Sequence, residues 1–190
     1  MKITLAKNAG YCFGVSQAIE TVERCADESR EPIHTLGPLI HNNQVIEKLN
    51  QKQVYVANEV EEVSDGTIAI RSHGVGADKI REIEKKGLNY IDATCPYVKK
   101  IHQKVKKYYE EGYEIFIIGD HKHPEVIGIN GWCNYEGIVF QSKNSVPFRE
   151  KYDKICVVAQ TTMNREKFEE IAREISTRYP NAIILDTICN

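Results

Sequence analysis

Glu114-Ile115-Phe116-Ile117-Ile118-Gly119-Asp120-His121-Lys122-His123-Pro124-Glu125 carries the architecture of this chain in miniature. Its apolar, Ile-rich beginning reads as a strand over 114–119. A turn holding two histidines and an acid follows, and then a helix opens with Pro124 at its first position, where the missing N–H costs nothing. Strands that pass through a polar turn into a helix build parallel α/β sheets with right-handed crossovers. Ligands of such sheets bind beyond the carboxyl ends of the strands, which is where this turn lies.

The same alternation extends outward in both directions. Further strands are expected at 2–7, 33–36, 53–56, 67–71, 89–93, 138–140, 154–159 and 182–187. Helical stripes separate them: Val15, Ala18, Ile19, Val22, Cys25 and Ala26; then Val98, Ile101, His102, Val105, Tyr108 and Tyr109; then Phe168, Ile171, Ala172, Ile175 and Tyr179. Asn164 suits the N-cap of the last helix and Pro180 its stop. The unit changes near Thr94–Cys95. The expected division is 1–13, an N-terminal strand with the first of three notable cysteines; 14–94, a first αβ unit; 95–188, a second; and 189–190, the entry to a third. No Pro/Gly/Ser linker separates the units, and the repeat is architectural rather than sequence-level.

Composition excludes several function classes. The 190 residues carry 25 Lys and Arg against 27 Asp and Glu, a net charge of −2. Neither nucleic acid nor an anionic membrane is an indicated partner. No apolar run reaches the length of about 18 residues that a membrane helix needs, and Met1-Lys2-Ile3-Thr4-Leu5-Ala6 reads as a short strand rather than a signal peptide. A cytoplasmic location is expected, where six cysteines are buried, metal-bound or catalytic rather than paired.

Three of those cysteines, Cys12, Cys95 and Cys189, lie almost evenly along the chain, each where an apolar run gives way to a turn. Three thiolates delivered to one centre suit an iron–sulfur cluster, with one iron left open. A buried small residue is the plainer reading of a cysteine after a strand. Other strand ends carry polar groups: His41 after 33–36, His73 in Ser72-His73-Gly74-Val75-Gly76 after 67–71, His123 and Glu125 after 114–119, and Thr161 in Gln160-Thr161-Thr162 after 154–159. Histidines just ahead of helix N-termini suit an anion such as a phosphate, drawn by free N–H groups and the helix dipole. Taken singly, each has a structural reading as a cap, a packed side chain or the start of a turn. Their convergence on one set of strand ends favours function. Cys25 and Cys156 read as core, as does Cys133 beside Trp132, and His102 lies on a core stripe at the helix edge. The lysines of 99–107 face away from that stripe as a solvated surface, though an acidic electron-donor protein would suit it.

Ala9-Gly10-Tyr11-Cys12-Phe13-Gly14-Val15, Gly37-Pro38-Leu39-Ile40-His41-Asn42, Arg71-Ser72-His73-Gly74, Asp92-Ala93-Thr94-Cys95-Pro96, His123-Pro124-Glu125-Val126, Gln160-Thr161-Thr162 and Asp186-Thr187-Ile188-Cys189 resemble, in order and spacing, the 4-hydroxy-3-methylbut-2-enyl diphosphate reductases (the IspH/LytB family). The resemblance implies an α/β fold of repeated small units around a central iron–sulfur site. It implies a 4Fe–4S cluster on Cys12, Cys95 and Cys189, and reductive removal of an allylic hydroxyl in the methylerythritol phosphate route to isoprenoid precursors. Glu125 would supply or relay the proton, with Thr161 positioning the hydroxyl. His41, His73 and His123 would bind the diphosphate, and His123 would also tune the proton relay. A ferredoxin or flavodoxin would donate electrons. The family carries a third αβ unit after its last cysteine, whereas this chain stops at Asn190, so little reductase activity is expected of the 190 residues alone. Readings from other classes are a non-catalytic diphosphate-binding scaffold, a zinc site on the same thiolates plus a histidine, and a thiol nucleophile at Cys12.

Overall fold

Among the described residues, eight short parallel strands form two separate four-stranded sheets, each with the same internal order. The computed structural model describes residues 3–4, 9–148 and 152–189. In chain order the elements are α1 (Phe13–Glu28), β1 (Ile33–Leu36), α2 (Asn43–Asn50), β2 (Val54–Ala57), β3 (Thr67–Ile70), α3 (Ala77–Lys86), β4 (Asn89–Asp92), α4 (Pro96–Glu110), β5 (Glu114–Ile118), α5 (Pro124–Asn130), β6 (Ile138–Phe140), β7 (Ile155–Ala159), α6 (Arg165–Arg178) and β8 (Ile183–Ile184). The sheets run β2-β1-β3-β4 and β6-β5-β7-β8, with every pairing parallel. The α/β reading of the sequence therefore holds.

The unbroken apolar runs of the central strands follow from cover on both faces. Phe116, Ile118, Val157 and Ala159 pack beneath Phe168, Ile171 and Ile175 of α6. Their chain neighbours Ile115, Ile117, Cys156 and Val158 face the opposite way, onto Ile101 and Val105 of α4 and Val126 and Ile129 of α5. In the other sheet Ile33, Val54 and Ala69 meet Ala18 and Val22 of α1, while Leu36, Ile68 and Ile70 meet Ile83 of α3. Each fully buried Ile contributes about 1.5–3 kcal/mol of transfer free energy, so these layers set the positions of the strand ends.

The expected helix signals appear where the sequence places them. Asn164 accepts from Lys167 N–H as the α6 cap, and Pro124 and Pro96 open their helices. Most strand ends agree with expectation to within one residue; two expected strands stand apart. The expected strand at 2–7 falls largely outside the described residues, and Ile3 and Thr4 carry no regular structure. The expected strand at 182–187 shrinks to Ile183–Ile184, although Leu185 N–H still bonds Val157 C=O. His102 is buried and stacked on Trp132, with ring centroids 5.4 Å apart, rather than lying at a helix edge. Cys133 and Cys156 are buried in the core, and Cys25 packs against it. Among the described residues no helix is long and apolar enough to cross a membrane.

Candidate active site

Strand order explains why distant residues meet. In each sheet the second and third strands in spatial order lead to neighbours on opposite sides, which opens a crevice above their carboxyl ends. In the first sheet these strands are β1 and β3, which lead into His41 and His73. In the second they are β5 and β7, which lead into His123 with Glu125 and into Thr161.

His41 and His73 lie with ring centroids 4.7 Å apart, and His123 joins them from the other sheet at 6.1 and 5.5 Å. One nitrogen from each ring falls within 4.8 Å of the others. Burial, then the charges of His41, Arg71 and His123, pushes His73 down to about 4, and its Nδ1 is buried without a partner. Burial likewise lowers His123, with His41 adding to the effect. His123 Nδ1 caps α5 by accepting from Glu125 N–H at 3.2 Å. In the neutral ring the proton then sits on Nε2, which leaves that nitrogen as a donor.

Glu125 is only 2% exposed. Thr161 holds it at both oxygens: its N–H donates to Oε1 at 2.6 Å and its hydroxyl to Oε2 at 2.7 Å. Burial raises the Glu125 pKa and these two bonds partly oppose the rise. The result is a protonatable acid at a fixed position.

Thr161 also reaches the third cysteine. Cys189 N–H donates to Thr161 C=O at 2.8 Å. Just before it, the Thr187 hydroxyl accepts from Ala159 N–H at 2.8 Å and donates to Ala159 C=O at 2.7 Å. These bonds extend the β7–β8 pairing and carry Cys189 to the β7 end. Cys95 N–H bonds Ser72 C=O at 2.9 Å, beside His73. Its Sγ lies against Gly14, where an added Cβ would come within 2.4 Å of the sulfur. Gly14 thus leaves the second thiol room next to the start of α1, whose N-cap is Cys12. The Cys189 thiol is raised by burial, then by Cys95, Cys12 and Glu125, so the three sulfurs share one electrostatic neighbourhood. Three thiols in one neighbourhood are a donor set of the kind that iron–sulfur clusters take.

The structure therefore brings His41, His73 and His123 together, joins Glu125 to Thr161 and Cys189, and sets Cys12 and Cys95 beside that group. His102 stands apart in the core. Of the lysines at 99–107, Lys99 pairs with Asp92, Lys106 with Glu110 and Lys107 with Glu111. The sequence reading quotes Arg71 in a motif but gives it no role; it stands one residue beyond β3, and its charge bears on both His73 and His123. Its place at the end of a central strand, two positions before His73, is the signal that marks it.

Comparison with known proteins covers nearly the whole chain. Residues 3–190 match the family described as LytB protein. The chain is 42% identical over 193 residues to 4-hydroxy-3-methylbut-2-enyl diphosphate reductase of Clostridioides difficile, spanning 100% of this chain and 69% of that protein. It is 42% identical to the Clostridium acetobutylicum protein of the same name, of which it spans 30%. A solved structure of (E)-4-hydroxy-3-methyl-but-2-enyl diphosphate reductase, the terminal enzyme of the non-mevalonate pathway, superposes with a TM-score of 0.86 at 41% identity, covering 99% of this chain and 68% of that one. The Plasmodium falciparum reductase superposes with a TM-score of 0.87 at 32% identity, covering 96% and 59%.

Proposed function

Since the chain belongs to the LytB family, we propose that it is the part of a 4-hydroxy-3-methylbut-2-enyl diphosphate reductase that meets both the allylic hydroxyl and the diphosphate of the substrate. The overall reaction adds two electrons and two protons. The allylic C–O bond breaks, a C–H bond forms, water leaves, and isopentenyl or dimethylallyl diphosphate results. The observation that carries this reading is the continuous link Glu125–Thr161–Cys189, which places a buried acid beside the three thiols.

Each residue then has a task. Cys12, Cys95 and Cys189 would hold a 4Fe–4S cluster, which when bound supplies Lewis acidity at an iron lacking a protein thiolate, and the electrons. Glu125, kept protonated to higher pH by burial, gives its proton to the departing hydroxyl, since loss of hydroxide into a dry site is costly. Thr161 orients the Glu125 carboxyl through two bonds. His41, His73 and the Nε2–H of His123 donate to the diphosphate oxygens. A low-potential one-electron protein, a ferredoxin or flavodoxin, would supply the electrons from outside.

Anaerobic reconstitution of the chain with iron and sulfide tests this reading. About four irons per chain, one distinct by Mössbauer spectroscopy, and loss of that signature in Cys189→Ser are the expected results. A colourless protein that takes up zinc through the same thiols would overturn it.

A further inference from the structure

We propose that Arg71 is the fixed cation of the diphosphate site. The proposal rests on the reading of His41, His73 and His123 as diphosphate donors. Arg71 leaves β3 next to β1, and its Nη1 packs on Gly37, where a Cβ would lie 2.3 Å from it. Its Nε is buried without a hydrogen-bond partner, and the arginine ion pairs among the described residues belong to Arg165 and Arg178. A half-buried guanidinium with no counter-anion is costly to the fold, and burial lowers its pKa accordingly. That cost is met when an anion arrives from outside the chain.

The histidine cluster needs such a charge. With His73 near 4 and His123 lowered, these imidazoles meet a neutral solution as uncharged donors, while a diphosphate brings several negative charges. Arg71 stands two residues before His73, and its Nη1 rests on Gly37 at the head of the loop that leads to His41. Lys79, which shares a cavity of about 160 Å³ with Arg71, is already bonded to Glu59 and Glu82. A guanidinium also matches phosphate oxygens two at a time, which an ammonium does not.

Calorimetric titration of the full chain with inorganic pyrophosphate tests the assignment, using Arg71→Met, Arg71→Lys and His41→Ala at two salt concentrations. Arg71→Met should weaken binding at least tenfold and flatten its salt dependence, while Arg71→Lys keeps the salt slope with a smaller loss. Equal pyrophosphate affinity in the wild type and Arg71→Met would overturn the proposal and leave the histidine reading standing. Binding that needs Arg71 but is untouched in His41→Ala would also overturn it, by placing the anion in the cavity beside Lys79. No pyrophosphate binding by the wild-type chain would remove the histidine reading and this proposal together. If Arg71→Met does not fold, Arg71→Gln takes its place: weakened affinity with a flattened salt slope supports the proposal and wild-type affinity refutes it.

Discussion

At the residue scale, the Glu125 carboxyl is governed by two opposed effects. Burial favours its neutral form, and two donors from Thr161 favour its charged form. Removing the hydroxyl with Thr161→Val takes away one of the two opposing bonds, so the Glu125 pKa should rise further; a carbon-13 NMR titration of labelled glutamate reads the midpoint directly. A fall would mean the hydroxyl bond is not the restraint it is taken to be. His102 offers a second test. It is 4% exposed, and burial holds it near 4 against an ordinary value of 6.5. A base depressed in the folded state contributes stability above pH 6.5 and loses it as pH falls towards 4. The full depression corresponds to about 3 kcal/mol. Urea unfolding between pH 7 and 4 should show His102→Phe losing less stability than the wild type over that window. Equal acid slopes would contradict the placement of this ring.

At the element scale, the segment after β8 is held by side chains where the sheet ladder stops. Thr187 satisfies both Ala159 N–H and Ala159 C=O, and Arg165 pairs with Asp186. Thr187→Val leaves the Ala159 N–H without its acceptor, at a cost of about 1–3 kcal/mol. The expected result in chemical denaturation is a lower midpoint, with faster alkylation of Cys189 by iodoacetamide. Unchanged alkylation would show that Cys189 is held elsewhere. The short β8 explains why sequence reading overestimates this strand. Val, Ile and Leu content signals an extended backbone, whereas its length as a ladder depends on a partner strand that sequence does not reveal.

At the scale of the molecule, two sheets of identical strand order meet through α5 and the turn before α3. Trp132 Nε1–H donates to Val75 C=O at 3.0 Å across this junction, and Tyr135 donates to Asp78. Gly131 and Gly76 touch back to back: a Cβ on Gly131 would lie 2.5 Å from Gly76 Cα. Gly131→Ala should therefore cost about 1–3 kcal/mol as overpacking and move His123 away from His41 and His73. Gly128→Ala, whose Cβ would sit 3.4 Å from Gly74, serves as the mild control in thermal unfolding and pyrophosphate titration. Equal effects of the two would mean the junction yields more easily than its contacts suggest.

What the sequence by itself determined is local and chemical. Turns that must end strands, stripes that must face a core, and residue types able to bind anions, move protons or hold metal are all readable from spacing and side-chain chemistry. Cys12, Cys95, Cys189, His41, His73, His123, Glu125 and Thr161 stand out as candidates for that reason. Three things were decided by the tertiary structure alone. Strand order brings His41 and His73 side by side and closes them with His123 from the other sheet. The Glu125–Thr161–Cys189 link exists because β5 and β7 are neighbours. Arg71 stands out only once its buried Nε is seen to lack a hydrogen-bond partner. Each depends on which strands pair and what is left beside a buried charge, and those are long-range outcomes of packing that no stretch of neighbouring residues encodes.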